Sequence, residues 1–367
     1  MIDLRMFLPS VKKLLILRQK IRNNLGNCLP EVPILTSQGS KSQKTATIAV
    51  ITTCLNEETT VLKWLDRIIS QSQKPDEIVI CDAGSTDKTV SLISEWRRKH
   101  PKYEVKLVTL LGANIAKGRN AAAKESTAPI LLFSDLGSLP VKDWVAELAQ
   151  PFFSDPNAEV ALGVSTSQSD SEISKAVSRL ILNSPEEINP RFYLASGRSI
   201  GVTRKIFNRV GGFPEELTFA GEDTLFNFNL RKKREGEFYF CPKAIAEWSP
   251  PENLKGLIKT LFRYSRGDAE SGLFYRDYLT RVTELSTILL GAGFSLITLY
   301  LFLTRYQLGV FVLLLVAVYF LLSPLFAYWK RLEGFTIKSK LLAPLTLIFA
   351  QASGFLFGLI LSKKPQP

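Results

Sequence analysis

Histidine is nearly missing from this chain: His100 is the only one among 367 residues. A metal site built on two imidazoles is thereby excluded. A Ser-His-Asp triad is disfavoured too, because His100 lies in the surface-like run RRKHP. Acid–base chemistry falls to carboxylates, Lys, Tyr or Cys. Cysteine is also scarce. Cys28, Cys54, Cys81 and Cys241 are widely spaced, with no CxxC pair. Cys54 and Cys81 sit in or beside apolar, strand-like runs, so they read as small core residues in a reducing compartment rather than disulfides or zinc ligands. No GxGxxG follows the first strand-like run and no GxxxxGK[ST] occurs. Any nucleotide is therefore held without a Rossmann fingerprint or a P-loop. The N-terminal stretch SVKKLLILRQKIRNNLG carries five cations and no long apolar core, unlike a secretory signal.

Charge is absent from three long stretches. Residues 285–304, 308–329 and 341–361 contain no Asp, Glu, Lys or Arg. Each is about 20 residues, which as a helix spans roughly the 30 Å of a bilayer's hydrocarbon. These stretches predict three transmembrane helices; a buried helical bundle is the other reading.

The charge that is present is placed unevenly. Of the net +12, residues 1–45 and 281–367 each hold eight Lys/Arg and two Asp/Glu, leaving 46–280 neutral. A nucleic-acid binder would carry its excess on a folded face. Here the excess fills the N-terminal arm and flanks the apolar stretches, which suits an anionic membrane surface and no nucleic acid. Within the arm, Val11, Leu14, Leu15, Ile21 and Leu25 share one helical face with Arg18 and Arg22. The arm reads either as an interfacial helix with snorkelling arginines or as a plain basic arm. TSQGSKSQK, residues 36–44, reads as a linker.

From residue 47 short apolar runs alternate with helical stretches: TIAVIT, then 59–70, EIVIC, 86–99, EVKLVTL, 116–126 and PILLFS. This alternation predicts an α/β domain with a mostly parallel sheet. Such sheets bind ligands beyond the carboxyl ends of their strands. Three segments fall there: Thr52 to Glu58, Asp82 to Asp87, and Ser134 to Ser138. The turn GSTD is good helix-cap chemistry in its own right. Asp82 and Asp135 differ, since a carboxylate ending an apolar strand needs a partner or solvent.

Taken in order and at their spacing, IAVITTCLNEETTVLKWLDRIISQSQKPDEIVICDAGSTDKT, KGRNAAAKES, LLFSDLG and VGGFPEELTFAGEDTLFNFNLRKK resemble glycosyltransferase family 2 over about residues 46–270. The resemblance implies a GT-A fold and an inverting transfer from a nucleotide-activated sugar. It implies nucleotide contacts by Thr53, Asn56 and Glu57, and a base-reading role for Asp82, usually toward uracil. Arg119 and Asn120 match the pair beside the nucleotide. Asp135 matches the first acid of the metal-binding DxD motif, for Mg2+ or Mn2+. Glu222 and Asp223 match the Glu-Asp pair whose second member is the general base. The second acid of the DxD motif falls on Gly137, which has no side chain, leaving Asp135 as the main protein ligand. Downstream, Arg263 and Arg266 stand near where polymerising relatives carry Gln-x-x-Arg-Trp, and could clamp a diphosphate. The Gln and Trp are missing.

The expectation is therefore a GT-A domain over 46–280 and a membrane domain over 281–367. The function expected is transfer of one sugar from a nucleotide donor, of UDP type, to a lipid-linked or glycolipid acceptor. A processive polysaccharide synthase and a degenerate membrane scaffold are the alternatives. Lys330, Arg331, Lys338 and Lys340 between the second and third stretches predict a cytoplasmic loop, against Arg305 alone between the first and second. With three crossings, the catalytic domain shares the cytoplasmic side and Lys363 and Lys364 lie outside.

Overall fold

The computed structural model describes residues 30, 32–36, 46–217, 220–303 and 307–361. Most of the arm and linker read from the sequence lies outside these residues. The described chain forms two compact units: one from residues 30–168 and 182–249, the other from 169–181 and 250–361.

The first unit is built on a sheet in the order β1-β9-β7-β8-β5-β2-β3-β4. In chain order its strands are β1 (Ile34–Thr36), β2 (Ile48–Cys54), β3 (Glu77–Asp82), β4 (Glu104–Thr109), β5 (Ile130–Phe133), β6 (Ser138–Pro140), β7 (Ala158–Ser167), β8 (Ile200–Thr203) and β9 (Glu237–Trp248). Its helices are α1 (Val61–Ile69), α2 (Thr89–Lys99), α3 (Ile115–Glu125), α4 (Trp144–Ser154), α6 (Arg204–Val210) and α7 (Glu222–Lys232). Between α4 and α6 in the chain comes α5 (Glu172–Ile181), which belongs to the second unit. β2 runs parallel to both β3 and β5, and β3 to β4. β8 is inserted antiparallel between β5 and β7. The short β6 pairs antiparallel with β9.

The central strands are buried on both faces, which is why they read as continuous apolar runs. Side-chain alternation divides them between two cores. Ala49, Ile51, Leu131 and Phe133 face α3, α6 and α7, through Ala122, Phe207 and Phe226. Ile48, Val50, Ile80 and Leu132 face α1, α2 and α4, through Trp64, Trp96 and Trp144. The result is a sheet with helices on both faces, whose β2, β3 and β5 end on one edge.

β7 and β8 approach closely where Trp144 Nε1 donates to Ser199 Oγ (2.8 Å) and Ser199 Oγ donates to the Ala244 carbonyl (2.8 Å). Gly163 lies against this chain of bonds, at an irregularity of β7. A Cβ there would fall 2.0 Å from Ser199 Oγ and 2.6 Å from the Ala244 oxygen.

The second unit contains α5, α8 (Leu254–Ser271), α9 (Tyr275–Leu303), α10 (Gln307–Trp329) and α11 (Ile337–Leu361). α8 starts on Asn253, whose side chain accepts from the Gly256 N–H, and ends on left-handed Gly272. α9, α10 and α11 are long and apolar enough to cross a membrane.

Gly163→Ala is expected to cost about 1–3 kcal/mol, because the backbone oxygen it meets cannot step aside as a side chain can. In a domain of this size that lowers Tm by about 2–4 °C per kcal/mol. Gly137→Ala is the control, since a Cβ there meets nothing within 4 Å. Thermal unfolding of both variants, followed by circular dichroism, checks the contrast; equal melting would remove the steric account.

Candidate active site

The loops after β2 and β3 are fastened to each other. Asn56, in the left-handed region at φ 57°, donates its N–H to Ser85 Oγ (2.9 Å) and accepts from the Thr86 N–H at Oδ1 (2.8 Å). The Glu57 N–H donates to Thr89 Oγ1 (2.7 Å), and the Thr60 hydroxyl donates to the Glu57 carboxylate. Thr53 Oγ1 donates to the Cys81 carbonyl (2.9 Å). Both Asp82 oxygens accept backbone N–H groups: Oδ2 from Gly84 (3.0 Å), and Oδ1 and Oδ2 from Ser85 (3.2 and 3.1 Å). The structure thus brings Thr53, Asn56, Glu57 and Asp82 to one edge. Their polar atoms shape that edge through bonds to its own backbone and hydroxyls.

α3 enters the same edge. Asn114 caps it, accepting from the Lys117 N–H (2.9 Å). A Cβ at Gly118 would meet Thr53 Oγ1 at 2.1 Å, so a glycine lets the helix lie directly on β2. Asn120 both donates to the Phe213 carbonyl (2.9 Å) and accepts from its N–H (2.8 Å), and donates to Glu215 (2.9 Å). It clips the segment leading to α7 onto α3.

Arg119 is 2% exposed and carries the centre of the site. Nη2 donates to Asp135 Oδ1 (2.6 Å) and Nη1 to Glu222 Oε1 (2.7 Å). Its guanidinium lies 5.0 Å from the Phe213 ring centroid. A Cβ at Gly197 would collide with it at 2.3 Å. Burial pushes the Asp135 carboxyl up, but Arg119 and Arg198 outweigh that and hold it below the usual carboxylate range. Glu222 goes the other way: burial and the neighbouring Asp223 charge raise it, against the pull of Arg119.

Asp223, in the first turn of α7, accepts from the Gly197 N–H at Oδ2 (3.1 Å) and from the Thr224 N–H at Oδ1 (2.8 Å). It is only partly buried. The reading of the sequence passed over Arg198. Its Nε lies 4.0 Å from Asp135 Oδ2, and its guanidinium sits 4.7 Å from the Trp248 ring centroid. A lone arginine in SGRS carries no local signal of this; the partners come from β5 and the end of β9. Arg263 and Arg266 belong to the second unit, on α8. There Arg263 is exposed, and Arg266 pairs with Glu270 (2.9 Å) and lies over Phe357.

A divalent cation has a limited but workable donor set in this arrangement. No cluster of three His, Cys, Asp or Glu side chains occurs among the described residues. Arg119 occupies one Asp135 oxygen, while the side chain remains partly exposed beside the open position at Gly137. One carboxylate oxygen fits a cation that brings waters and phosphate oxygens with it.

Removing the arginine turns a compensated pair of acids into an uncompensated one. Held low, Asp135 contributes stability that is present above its unfolded value near pH 4 and lost as pH falls through its lower folded value. In Arg119→Met both acids keep the upward push of burial, reinforced at Glu222 by the Asp223 charge, and lose the opposing pull of Arg119, so the variant loses less stability than wild type as pH falls. We expect a deficit of about 3–5 kcal/mol at pH 8 that narrows toward pH 5. Melting temperatures of both proteins across that range check it; a pH-independent gap would refute the coupling.

Residues 49–209 match the family model for Glycosyl transferase family 2. Over 242 residues the chain is 24% identical to the dolichyl N-acetyl-alpha-D-glucosaminyl phosphate 3-beta-D-2,3-diacetamido-2,3-dideoxy-beta-D-glucuronosyltransferase of Methanococcus voltae, covering 62% of this chain and 74% of that one. It is 21% identical over 250 residues to poly-beta-1,6-N-acetyl-D-glucosamine synthase of Staphylococcus epidermidis, covering 66% and 59%. In fold it is similar to a mannosyltransferase from Pyrobaculum calidifontis solved with GDP-Man and Mn2+, with a TM-score of 0.50 and 17% identity, over 95% of this chain and 93% of that one. The family match and the mixed, mostly parallel sheet together make residues 49–209 a Glycosyl transferase family 2 domain, in a chain with the GT-A fold.

Proposed function

We propose that the chain is an inverting glycosyltransferase that moves one sugar from a nucleoside-diphosphate donor, of UDP type, to a lipid-linked or glycolipid acceptor at a membrane surface. Its catalytic domain lies on the cytoplasmic side, facing the nucleotide-sugar pool. One observation carries the reading. Arg119 holds Asp135, at the end of β5, and Glu222, at the start of α7, on the two arms of one guanidinium. A donor-side acid and an acceptor-side acid pair are thereby brought together at the carboxyl edge of the sheet. The resemblance to a dolichyl-linked transferase supports a lipid acceptor.

In this reaction the acceptor hydroxyl oxygen forms a bond to the anomeric carbon as the carbon–oxygen bond to the diphosphate breaks. The pair of electrons leaves with the diphosphate, and the hydroxyl proton passes to Asp223. Asp223 serves as base because it is partly exposed and oriented by two backbone N–H groups. Glu222, engaged with Arg119, orients the helix start. Asp82, Asn56, Glu57 and Thr53 shape the nucleotide pocket, while Arg119 and Asn120 brace it. Asp135 would hold Mg2+ or Mn2+, which supplies charge stabilisation for the departing diphosphate. Arg198 stands beside that acid as a fixed cation. Arg263 and Arg266 are proposed diphosphate or acceptor contacts. The similarity to a poly-N-acetylglucosamine synthase favours polymerisation as the second reading, and product length measured by mass spectrometry separates the two.

Asp223→Asn is expected to lower turnover by roughly 10²–10⁴-fold while donor binding, measured by calorimetry, stays near that of wild type. Near-normal turnover would place the base elsewhere. Lost donor binding together with a lower Tm would mean that the bonds to Gly197 and Thr224 are its whole role.

The metal reading has its own test. Asp135→Asn should abolish most transfer, and Gly137→Asp, built into open space, should lower the Mg2+ concentration for half-maximal rate. Full wild-type activity in excess chelator would rule out the cation.

A further inference from the structure

The three uncharged stretches have different surroundings. The most apolar stretch of α9 is 11% buried and that of α10 is 17% buried, but that of α11 is 61% buried. α9 exposes Leu289, Leu296 and Leu303, and α10 exposes Leu315, Tyr319 and Phe326. These are bare apolar faces suited to hydrocarbon. On α11, by contrast, Ala343, Ile348, Ala350 and Phe355 are wholly enclosed by protein, and only a narrower strip with Phe349, Phe357 and Ile360 stays exposed.

The protein that encloses α11 is clad in charge. α8 runs alongside it so closely that a Cβ at Gly354 would fall 2.2 Å from Ser265 Oγ, and one at Gly358 would fall 2.6 Å from the Arg266 carbonyl oxygen. The outer side of α8 exposes Lys255, Lys259 and Arg263. At its other side α11 meets the polar entry turns of α9. Arg281 Nε donates to Gln351 Oε1 (3.2 Å), and the Tyr275 and Tyr278 rings lie 5.1 and 5.2 Å from Phe355. These contacts come before the uncharged part of α9 begins at residue 285. At the start of α11, the Thr336 N–H donates to Glu172 of α5 (2.8 Å). Sinking α11 across a bilayer would carry the exposed cations of α8 into hydrocarbon along with it, at prohibitive cost.

We infer that α9 and α10 alone cross the membrane, as a hairpin. α11 is the core helix of a bundle with α5 and α8, on the side where the hairpin begins and ends. A helix apolar on all faces is one that is buried, whatever buries it. The distribution of cations supports this independently. A hairpin puts Lys330, Arg331, Lys338, Lys340, Lys363 and Lys364 on one side, against Arg305 on the other. Three crossings would move Lys363 and Lys364 over to join Arg305 and leave four against three. The positive-inside bias favours the six-to-one arrangement and makes the hairpin's open end cytoplasmic. The lipid-facing surface is then the exposed flanks of α9 and α10, while the apolar content of α11 serves folding.

The inference rests on membrane binding of the full chain, which cell fractionation establishes separately. Its test is sidedness in intact cells, read with a membrane-impermeant maleimide before and after permeabilisation. Single probes are introduced by Arg305→Cys, Phe335→Cys and Ser362→Cys, with Lys364→Cys as a second probe beyond α11. The background is set by the Cys28→Ser protein, in which the remaining Cys54, Cys81 and Cys241 are buried. The expected result is that positions 335, 362 and 364 share one side and 305 lies on the other. Positions 305 and 362 on the same side, opposite 335, would establish three crossings and overturn the inference. All positions on one side would overturn it equally, by showing that the hairpin does not cross.

Discussion

The catalytic unit depends on one buried guanidinium. Arg119 comes from α3, Asp135 from the end of β5 and Glu222 from the start of α7, yet two short ion pairs bring them together. Two buried or partly buried acids lose hydration; a shared planar cation offsets that cost and fixes their directions. The backbone around it is arranged to admit it. Gly197 gives it room and Phe213 offers a ring face. α7 has no side-chain cap: its N-cap is Gly221 at φ 84°. The start of that helix, and with it the placement of Asp223, is held through Glu222 to Arg119 rather than by a capping hydroxyl.

Around this centre, polar side chains that a ligand would find attractive are already engaged. Asp82 accepts three backbone bonds, Asn120 is satisfied in both directions by Phe213, and Asn56 adopts a left-handed conformation that lets it bond Ser85 and Thr86. The strand-end loops are thus prearranged, with their ordering entropy spent in folding rather than in binding. Asp135 and Asp223, by contrast, are only partly buried.

How far the fold was legible follows from range. Strands β2, β3 and β5 and helices α1 to α3 are visible because their signals are local: β-branched apolar runs, a polar turn, then a helical period. The strand-end acids follow from the same local pattern plus the rule for parallel sheets. What is set by distant partners was not visible. β8, a four-residue strand, enters the sheet antiparallel between β5 and β7. α5 lies in the middle of the catalytic sequence but packs with the C-terminal helices. Arg198 owes its place to Asp135 and Trp248, 63 and 50 residues away. No window of sequence around Arg198 contains that information.

The C-terminal helices show why composition alone could not finish the reading. An uncharged stretch reports that water is excluded, not what excludes it. For α9 and α10 the excluding medium is not protein, since their apolar flanks stand bare. On the inference drawn above, α11 is sheltered mainly by protein, and the cost of immersing it is set by the charges on its neighbour α8 rather than by its own residues. The same argument applies to α8, whose residues alternate between apolar and basic. Its apolar stripe, Leu257 and Leu261 among it, is buried against the bundle, and its basic side remains outward. A helix with one face in a protein core and cations on the other is suited to the anionic lipid–water boundary without entering it. The charge that distinguishes a crossing helix from a supporting one is therefore found on the adjacent element, and only the packing of the two reveals it.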